Sequence, residues 1–298
     1  MASIFPPELE REIFETTAIL HPQTMPTLLP VAHRVLIWIE PLLYRFIILA
    51  RGSIDEVVRR AMRVKPASFL EASIRHICIS SSSRFSKEEL CALLRLCTKL
   101  VSLTTSQAVP ASELLPILAG MTQVRKWTGS LVDLFGGYDT IDLSHPFFRY
   151  LTHMDIIGDF EDDRNIPSLV ALPALTHLAL CGDGVLDDTV PRVLEQCTQL
   201  QVLVIVYHAI HAVTARQIAA RPPTDDLRFV VCVYHNYLDD QWKIGVRRGT
   251  DFWSAAETFI ARKRRGEIGG ALYEFPIRVS SSKNCSTSSY YFLERPSE

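Results

Sequence analysis

A short apolar pattern, Leu-x-x-Leu-x-Leu or a close substitute, recurs seven times between residues 74 and 233. Successive copies are about 25 residues apart, and a period of this size is typical of a solenoid. In a solenoid, each turn buries its apolar face only by stacking on the next turn. The pattern therefore predicts a coil of stacked strands over residues 74–235. Its copies begin at Ile74, Leu100, Val124, Leu151, Leu175, Leu200 and Leu227.

Each copy of the pattern predicts a strand, and the segment between two copies predicts a helix or an irregular return. Alternation along the strand sends Leu175, Leu178 and Leu180 into the core. The same alternation leaves His177 and Ala179 on the opposite face. An internal repeat is also indicated by the sequence Cys-Thr-x-Leu-x-x-Leu, which occurs at 97–103 and at 197–203. An ordinary α/β domain, which also alternates strands with helices, is the alternative architecture.

Composition restricts the class of protein. The chain has 298 residues, 48% of them hydrophobic, which is enough to bury a large core. Its 31 basic and 33 acidic residues nearly cancel, so no overall field favours nucleic acid or an anionic membrane as partner. No apolar run reaches the roughly 18 residues of a membrane span. The seven scattered cysteines suit a reducing compartment, and we expect a cytoplasmic or nuclear protein.

The pattern divides the chain into four regions. Residues 1–50 contain short helical segments, and residues 51–73 carry apolar residues at helical spacing that predict bridging helices. Residues 74–235 form the repeat array. Residues 236–298 lack the pattern and are expected to form a C-terminal cap and tail.

The N-terminal segment carries several turn, apolar and aromatic residues in a fixed order. They are Pro-Pro-Glu-Leu at 6–9, the pair Ile13 and Phe14, the pattern of Leu28, Val31 and Val35, Arg34, Trp38, and Leu-Leu-Tyr at 42–44. In these residues the segment 4–46 resembles the F-box, particularly the F-box-like N-termini of many proteins of mushroom-forming fungi, and the repeats described above resemble the leucine-rich repeat. The leucine-rich-repeat resemblance implies an α/β fold, a right-handed solenoid with a parallel strand ladder. The F-box resemblance implies that a small all-α segment precedes it.

In the F-box family this segment docks apolar side chains on the Skp-type adaptor of a cullin-RING ubiquitin ligase, while the repeats select a protein substrate. The resemblance thus implies a noncatalytic substrate receptor of an SCF-type ligase. Trp38 is expected to anchor the local core instead. The alternative is a leucine-rich-repeat interaction scaffold whose N-terminal helices only cap the array. The docking candidates that the resemblance implies are Pro7, Leu9, Ile13, Phe14, Val31 and Leu42.

The strand residues between the core positions form the second face of the predicted sheet. Its early part is polar and supplies our candidates for substrate contact, which are His76, Lys126, His153, Asp155 and His177. Its late part is apolar, with Val202, Val204, Val206, Phe229, Val231 and Val233. Soluble monomers seldom leave such a patch open. We therefore expect residues 239–275 to cover it as a cap, and a partner-binding patch is the alternative. The expected covering residues are Trp242, Phe252, Trp253 and Phe259.

The sequence offers little for catalysis or metal binding. A phosphate-binding Gly-rich loop, a G-x-S-x-G turn and an H-E-x-x-H pair are all missing, so we expect no catalytic residue and no cofactor. Metal-ligand residue types do cluster at His208, His211, Cys232 and His235. The predicted alternation turns Cys232 inward and both His208 and His235 outward, so no metal site is predicted there.

Overall fold

The structure is a computed structural model that describes residues 5–50, 53–105, 112–158, 160, 162–182, 188–234 and 251–274. Within these residues nine strands form one sheet, in which each strand lies parallel to the next strand along the chain. The strands are Phe46–Leu49 (β1), His76–Ile79 (β2), Ser102–Thr105 (β3), Lys126–Gly129 (β4), His153–Ile156 (β5), His177–Cys181 (β6), Val202–His208 (β7), Phe229–Tyr234 (β8) and Leu272–Glu274 (β9).

Helices precede, connect and cover these strands. Within the described ranges, none of them combines the length and apolar character needed to cross a bilayer. The α-helices described are Pro7–Leu20 (α1), Met25–Leu28 (α2), His33–Leu43 (α3), Ser53–Val64 (α4), Ala67–Ser73 (α5), Lys87–Leu96 (α6), Leu115–Leu118 (α7), Leu131–Phe135 (α8), Asp162–Val170 (α9), Thr189–Gln196 (α10), Ala212–Ala220 (α11) and Phe252–Arg264 (α12).

The strand order confirms the predicted stack of parallel strands. Each chain turn adds one strand to the growing edge of the sheet, as a solenoid-like α/β fold requires. The internal repeat also has the same structure in both of its copies. Cys97 and Cys197 each follow the last residue of a helix, and each carbonyl accepts a hydrogen bond of 3.1 Å from Leu100 or Leu200 before the next strand.

The sheet has one more strand at each end than the period predicts. β1 lies in the region expected to be wholly helical, and Phe46 pairs with His76 across a longer step than any in the array. Two helices, α4 and α5, fill this long return, so β1 does not follow the repeat period. β9 has only three residues, too few to show alternation, and pairs with β8. The expectation of an all-α segment over residues 1–50 is therefore wrong at 46–49.

The main core lies between the sheet and the return segments. Leu175, Leu178 and Leu180 are completely buried in it, as alternation predicts. Trp127 and Met154 occupy positions that leucine holds in other turns, and both are buried there. The core is thus continuous from β1 to β8, because every turn contributes side chains at matching positions.

A second apolar cluster lies on the opposite side of the sheet, beneath α12. Trp253, Phe259 and Ile260 of the helix are buried against strand residues of β6, β7 and β8. This packing confirms the predicted cap for residues 251–274, including Phe252, which packs at its edge. Trp242, also expected in the cap, lies outside the described residues. The strand residues covered by the helix are Ala179, Val202, Val204, Val230 and Cys232.

The cap covers a different set of β8 residues from the predicted set. β8 pairs Phe229 with Leu203 and Val230 with Val204, one residue out of the predicted register. Because side chains alternate, this slip exchanges the two faces of the strand. The main core therefore takes Phe229, Val231 and Val233, which had been expected on the capped face, while Val230 and Cys232 face the helix.

The N-terminal helices form a small third cluster with only three buried apolar residues, Ala18, Val35 and Ile39. Two contacts join the N-terminal helices to the bridging segment 51–73. The ring of Tyr44 lies edge-on to Phe69 of α5 at 5.5 Å, and Lys65 forms a 2.5 Å salt bridge with Glu40 of α3.

Candidate functional site

One row of side chains crosses the face of the sheet opposite the main core. Strand pairing places His76 beside Ser102, Lys126 beside His153, and His153 beside His177. The repeat period predicted this row, and in the structure Lys126, His153 and His177 lie side by side on three adjacent strands. Asp155 lies in the adjacent row, next to Thr128 and Ala179. The five candidates for substrate contact are therefore on one face of the sheet.

Two Thr-His pairs build the centre of this site. The hydroxyl of Thr152 lies 2.8 Å from Nδ1 of His153, and the hydroxyl of Thr176 lies 2.8 Å from Nδ1 of His177. The two imidazole rings stack with 4.0 Å between their centroids and 10° between their planes. Because both rings use Nδ1 in the same way, both are oriented alike on neighbouring strands.

Helix α12 closes the site from above. The ring of Trp253 lies nearly perpendicular to both imidazole rings, with its centroid 5.3 Å from that of His153 and 5.8 Å from that of His177. Oε1 of Glu257 lies 2.9 Å from Nε2 of His177. Glu257 is four positions beyond Trp253, so both side chains project from the same face of the helix.

Asp251 anchors the start of α12 to the sheet. One carboxylate oxygen accepts a hydrogen bond of 2.9 Å from the backbone of Ser254 and caps the helix, and the other forms a 2.7 Å salt bridge with Lys126. Burial raises the pKa of Asp251, but the charge of Lys126 and these hydrogen bonds outweigh burial and bring its pKa below the ordinary value. Asp251 therefore stays ionised.

Both histidines at the centre are neutral near pH 7. Burial, together with the neighbouring His177 ring and Lys126, lowers the pKa of His153 to about 3. Burial also lowers the pKa of His177, although Glu257 opposes this shift. An uncharged pair can stack closely without repulsion and keeps one unprotonated nitrogen on each ring.

His76 lies apart from this centre. Its ring stacks on Phe46 with 4.9 Å between centroids, and its buried Nδ1 has no hydrogen-bond partner in the described part of the chain. Burial and the charges of Arg45 and Lys126 lower the pKa of His76 to about 4. This candidate is a packed, neutral ring of the β1–β2 edge.

Asp155 is a buried carboxyl group. Burial raises its pKa to about 7, and a hydrogen bond with the Thr128 side chain opposes the shift only in part. The folded protein therefore binds the Asp155 proton more tightly than the unfolded chain, in which the pKa is 3.8. The stability contribution of the neutral form is complete below about pH 4 and is lost as the pH rises towards 7.

We predict that the free energy of unfolding falls between about pH 4 and about pH 7, by at most about 1.4 kcal/mol per pH unit from Asp155. Asp155→Asn should remove this contribution. The free energy of unfolding of the variant, relative to that of the wild type, should therefore rise steadily with pH. Urea unfolding of both proteins at about pH 5 and about pH 8 measures the difference. Two curves that stay parallel over this range would contradict the assignment.

The N-terminal docking candidates fall into two groups. Pro7, Leu9, Ile13 and Val31 are exposed. Phe14 and Leu42 pack against the small N-terminal cluster, where the ring of Phe14 lies 6.4 Å from Trp38. Trp38 is part of this cluster, as expected. The first group is more exposed to a partner than the second.

Helix α1 is apolar on two sides. Phe14 and Ala18, four positions apart, face α3. On the other side Leu9, Ile13 and Leu20 recur at helical spacing, and they are 50%, 51% and 68% exposed. A helix with two apolar faces needs two packing partners, and the described residues supply only one of them.

More exposed apolar side chains lie on the same N-terminal segment. The helix pair is held in place on its polar side, where Arg34 of α3 forms hydrogen bonds of 3.0 and 2.6 Å with Glu10 of α1. This bidentate pair fixes the angle between the two helices. The further exposed apolar residues of the segment are Phe5, Ile19, Ile37 and Leu43.

The metal-ligand residues noted in the sequence have a different arrangement from the predicted one. The ring of His208 lies edge-on to Tyr234 at 5.3 Å, and Tyr234 is its neighbour across the β7–β8 pair. Cys232 faces α12 and not the main core. His235 lies outside the described residues.

A different group of metal-ligand residues does come together. The potential ligand atoms of His153, His177 and Glu257 lie within 4.8 Å of one another. Sequence reasoning missed this group because Glu257 is far from His177 along the chain and lies outside the repeat. The two Thr-His dipeptides, at equivalent positions of successive repeats, were the visible signal.

A pocket of about 280 Å³ lies elsewhere, among return segments. It is lined by Tyr138, Asp139, Ile141, Asn165 and Ser168. These residues do not include a histidine or cysteine, and the pocket shares no residue with the histidine pair.

Comparison with known proteins adds no family assignment. No protein-family model matches the chain, and no curated protein matches it significantly.

Proposed function

We propose that this protein is a noncatalytic interaction module, a substrate receptor of a cullin-RING ubiquitin ligase of the SCF type. In this proposal the outer side of α1, with Val31, docks on the Skp-type adaptor. The observation that carries the proposal is the half-exposed stripe of Leu9, Ile13 and Leu20 on a helix whose other side is already packed. Such a stripe marks a protein-binding surface in a soluble protein.

We also propose that the array belongs to the right-handed leucine-rich-repeat type. The strand order and the nearly constant repeat period support this kinship, and crossover connections between parallel strands are right-handed in nearly all proteins. The repeats select the protein substrate. Because Lys126, His153 and His177 contact the C-terminal segment, we place the substrate on the composite surface that the strand face and α12 form together.

A second candidate function is a repeat scaffold whose N-terminal helices only cap the first turn. The contacts that favour it are the Tyr44–Phe69 ring pair and the Lys65–Glu40 salt bridge, which hold the helices against the bridging segment that leads into the array. A cap of this kind has no need of exposed apolar residues on its far side. The scaffold function therefore does not explain the exposed stripe of Leu9, Ile13 and Leu20 on α1.

Capture of the purified Skp-type adaptor tests the two functions. The wild type should retain the adaptor, and the double variant Leu9→Asp with Ile13→Asp should weaken capture by at least tenfold. Burying one apolar side chain is worth about 1.5–3 kcal/mol, and about 1.4 kcal/mol is a tenfold change in affinity. Biolayer interferometry with immobilised adaptor measures the change.

Val213→Asp is the matched control, because Val213 is also an exposed apolar residue but lies on α11 at the other end of the array. It should bind the adaptor as the wild type does. Circular dichroism should show the same helix content in all three proteins. A wild type that fails to bind the adaptor, or a double variant that still binds it, would contradict the docking proposal and favour the scaffold.

A further inference from the structure

The histidine pair and Glu257 present three potential ligands of a borderline-soft cation. Two imidazole nitrogens and one carboxylate oxygen form the ligand set that suits zinc. The imidazoles come from adjacent strands and the carboxylate from α12, so an ion between them would join two separate parts of the fold. The Glu257 side chain is about half exposed, which leaves room for water as a fourth ligand.

The groups have to draw closer together to surround one ion. Zinc ligands lie about 2.0–2.2 Å from the metal, so ligand atoms in a tetrahedral site are about 3.3 Å apart. The present ligand atoms are within 4.8 Å of one another. Because the rings are stacked almost parallel, they have to rotate about their side-chain bonds for both imidazoles to reach one point beside Glu257.

The surroundings already supply the outer hydrogen bonds that a zinc-bound histidine uses. A ligating imidazole donates its other N–H to a nearby oxygen. Nδ1 of each ring has the hydroxyl oxygen of Thr152 or Thr176 at 2.8 Å. Each hydroxyl also lies 3.1 or 3.2 Å from a main-chain carbonyl, of Arg125 or Thr152.

These distances allow a consistent set of proton positions. Without metal, neutral His177 carries its proton on Nε2 and donates it to Glu257 across 2.9 Å, while Nδ1 accepts a hydrogen bond from the Thr176 hydroxyl. With zinc bound to Nε2, that proton moves to Nδ1. Each threonine hydroxyl then donates to its main-chain carbonyl and accepts the Nδ1–H of the adjacent histidine.

We propose that His153, His177 and Glu257 bind a zinc ion that fastens α12 to strands β5 and β6. Trp253 shields the site on one side, because its ring packs against both imidazole rings. The ion acts as a clamp for the C-terminal cap. This inference is independent of adaptor docking, which uses the opposite end of the chain.

Zinc titration of the full-length protein, freed of metal by chelation and desalting, tests the site. Calorimetry should show one zinc ion bound per chain, and zinc should raise the melting temperature, because a ligand that binds only the folded state stabilises it. Glu257→Gln and His153→Asn should each weaken zinc binding by at least tenfold. Both should also abolish the rise in melting temperature.

Two controls separate this site from other binding. Glu195→Gln removes an exposed carboxylate of α10, and His33→Asn removes an exposed histidine of α3. Both should bind zinc as the wild type does. Glu257 is exposed enough for glutamine to leave the fold intact, which circular dichroism checks. Absence of saturable zinc binding by the wild type, or binding that survives both ligand substitutions, would overturn the proposal.

Discussion

Replacement of Trp127 by alanine should lower the free energy of unfolding by about 3–5 kcal/mol. The indole is 1% exposed and meets two phenylalanine rings edge-on, Phe147 at 6.4 Å and Phe148 at 5.9 Å. Its buried Nε1 has no hydrogen-bond partner among the described residues, so the loss comes from packing alone. Removal of the side chain leaves a cavity between β4 and the following return, and stacked turns cannot close it without moving their neighbours.

Trp127→Leu distinguishes packing from general disturbance of the strand. Three other turns carry leucine at this position, as Leu103, Leu178 and Leu203, so this variant should lose less stability than Trp127→Ala. Tyr150→Ala removes a partly exposed ring nearby and should cost under about 1 kcal/mol. Urea unfolding followed by circular dichroism measures all three. An alanine variant at position 127 that is no less stable than the Tyr150 variant would disprove the central place of Trp127 in the core.

Loss of the C-terminal cap should make the protein self-associate. In the full chain, Trp253→Asp with Phe259→Asp places two charges in the cluster over Val202, Val204 and Val230. Each buried aromatic contributes about 1.5–3 kcal/mol of packing, and an unpaired buried charge adds a further penalty. The helix should therefore detach and expose the apolar strand face. We expect oligomers or aggregate by size-exclusion chromatography with light scattering, and increased binding of a hydrophobic dye.

Deletion of residues 240–298 should have the same consequence, because it removes the whole helix. Thr258→Asp introduces a charge on the exposed side of α12 and should elute with the wild type. If the double variant and the deleted chain both stay soluble and monomeric, the late strand face does not need a cover. The cap would then have another role than shielding.

Periodicity was sufficient to predict most of the array. A nearly constant step between copies implied parallel strands in chain order, and alternation assigned Leu178 and Leu180 to the core. The same alternation aligned Lys126, His153 and His177 in one row, and the strand pairing confirms that row. These inferences succeed because a repeated turn imposes the same burial on the same position in every copy.

β8 shows where alternation stops being informative. Phe229-Val-Val-Cys-Val is apolar at every position, so either phase buries apolar side chains and the pattern cannot choose between them. In the fold, the two sides of β8 have different neighbours, the main core on one side and α12 on the other. Pairing with β7 decides which alternate residues of β8 face the main core and which face α12.

The candidate docking surface shows a similar division. Leu9, Ile13, Phe14 and Leu42 are all apolar, and their sequence does not separate a residue that faces α3 from one that faces outward. The packing of α1 against α3 makes that separation, burying part of Phe14 and Leu42 and leaving Leu9 and Ile13 exposed.

Local order along the chain was thus enough to establish the stacked strands, their core positions and the need for a C-terminal cover. Packing between distant segments established the phase of β8, the extra strands β1 and β9, and the meeting of Glu257 with His177. The reason is physical. A repeat encodes contacts between adjacent turns at a constant spacing, whereas contacts between a repeat and a non-repeating helix have no spacing that a sequence can display.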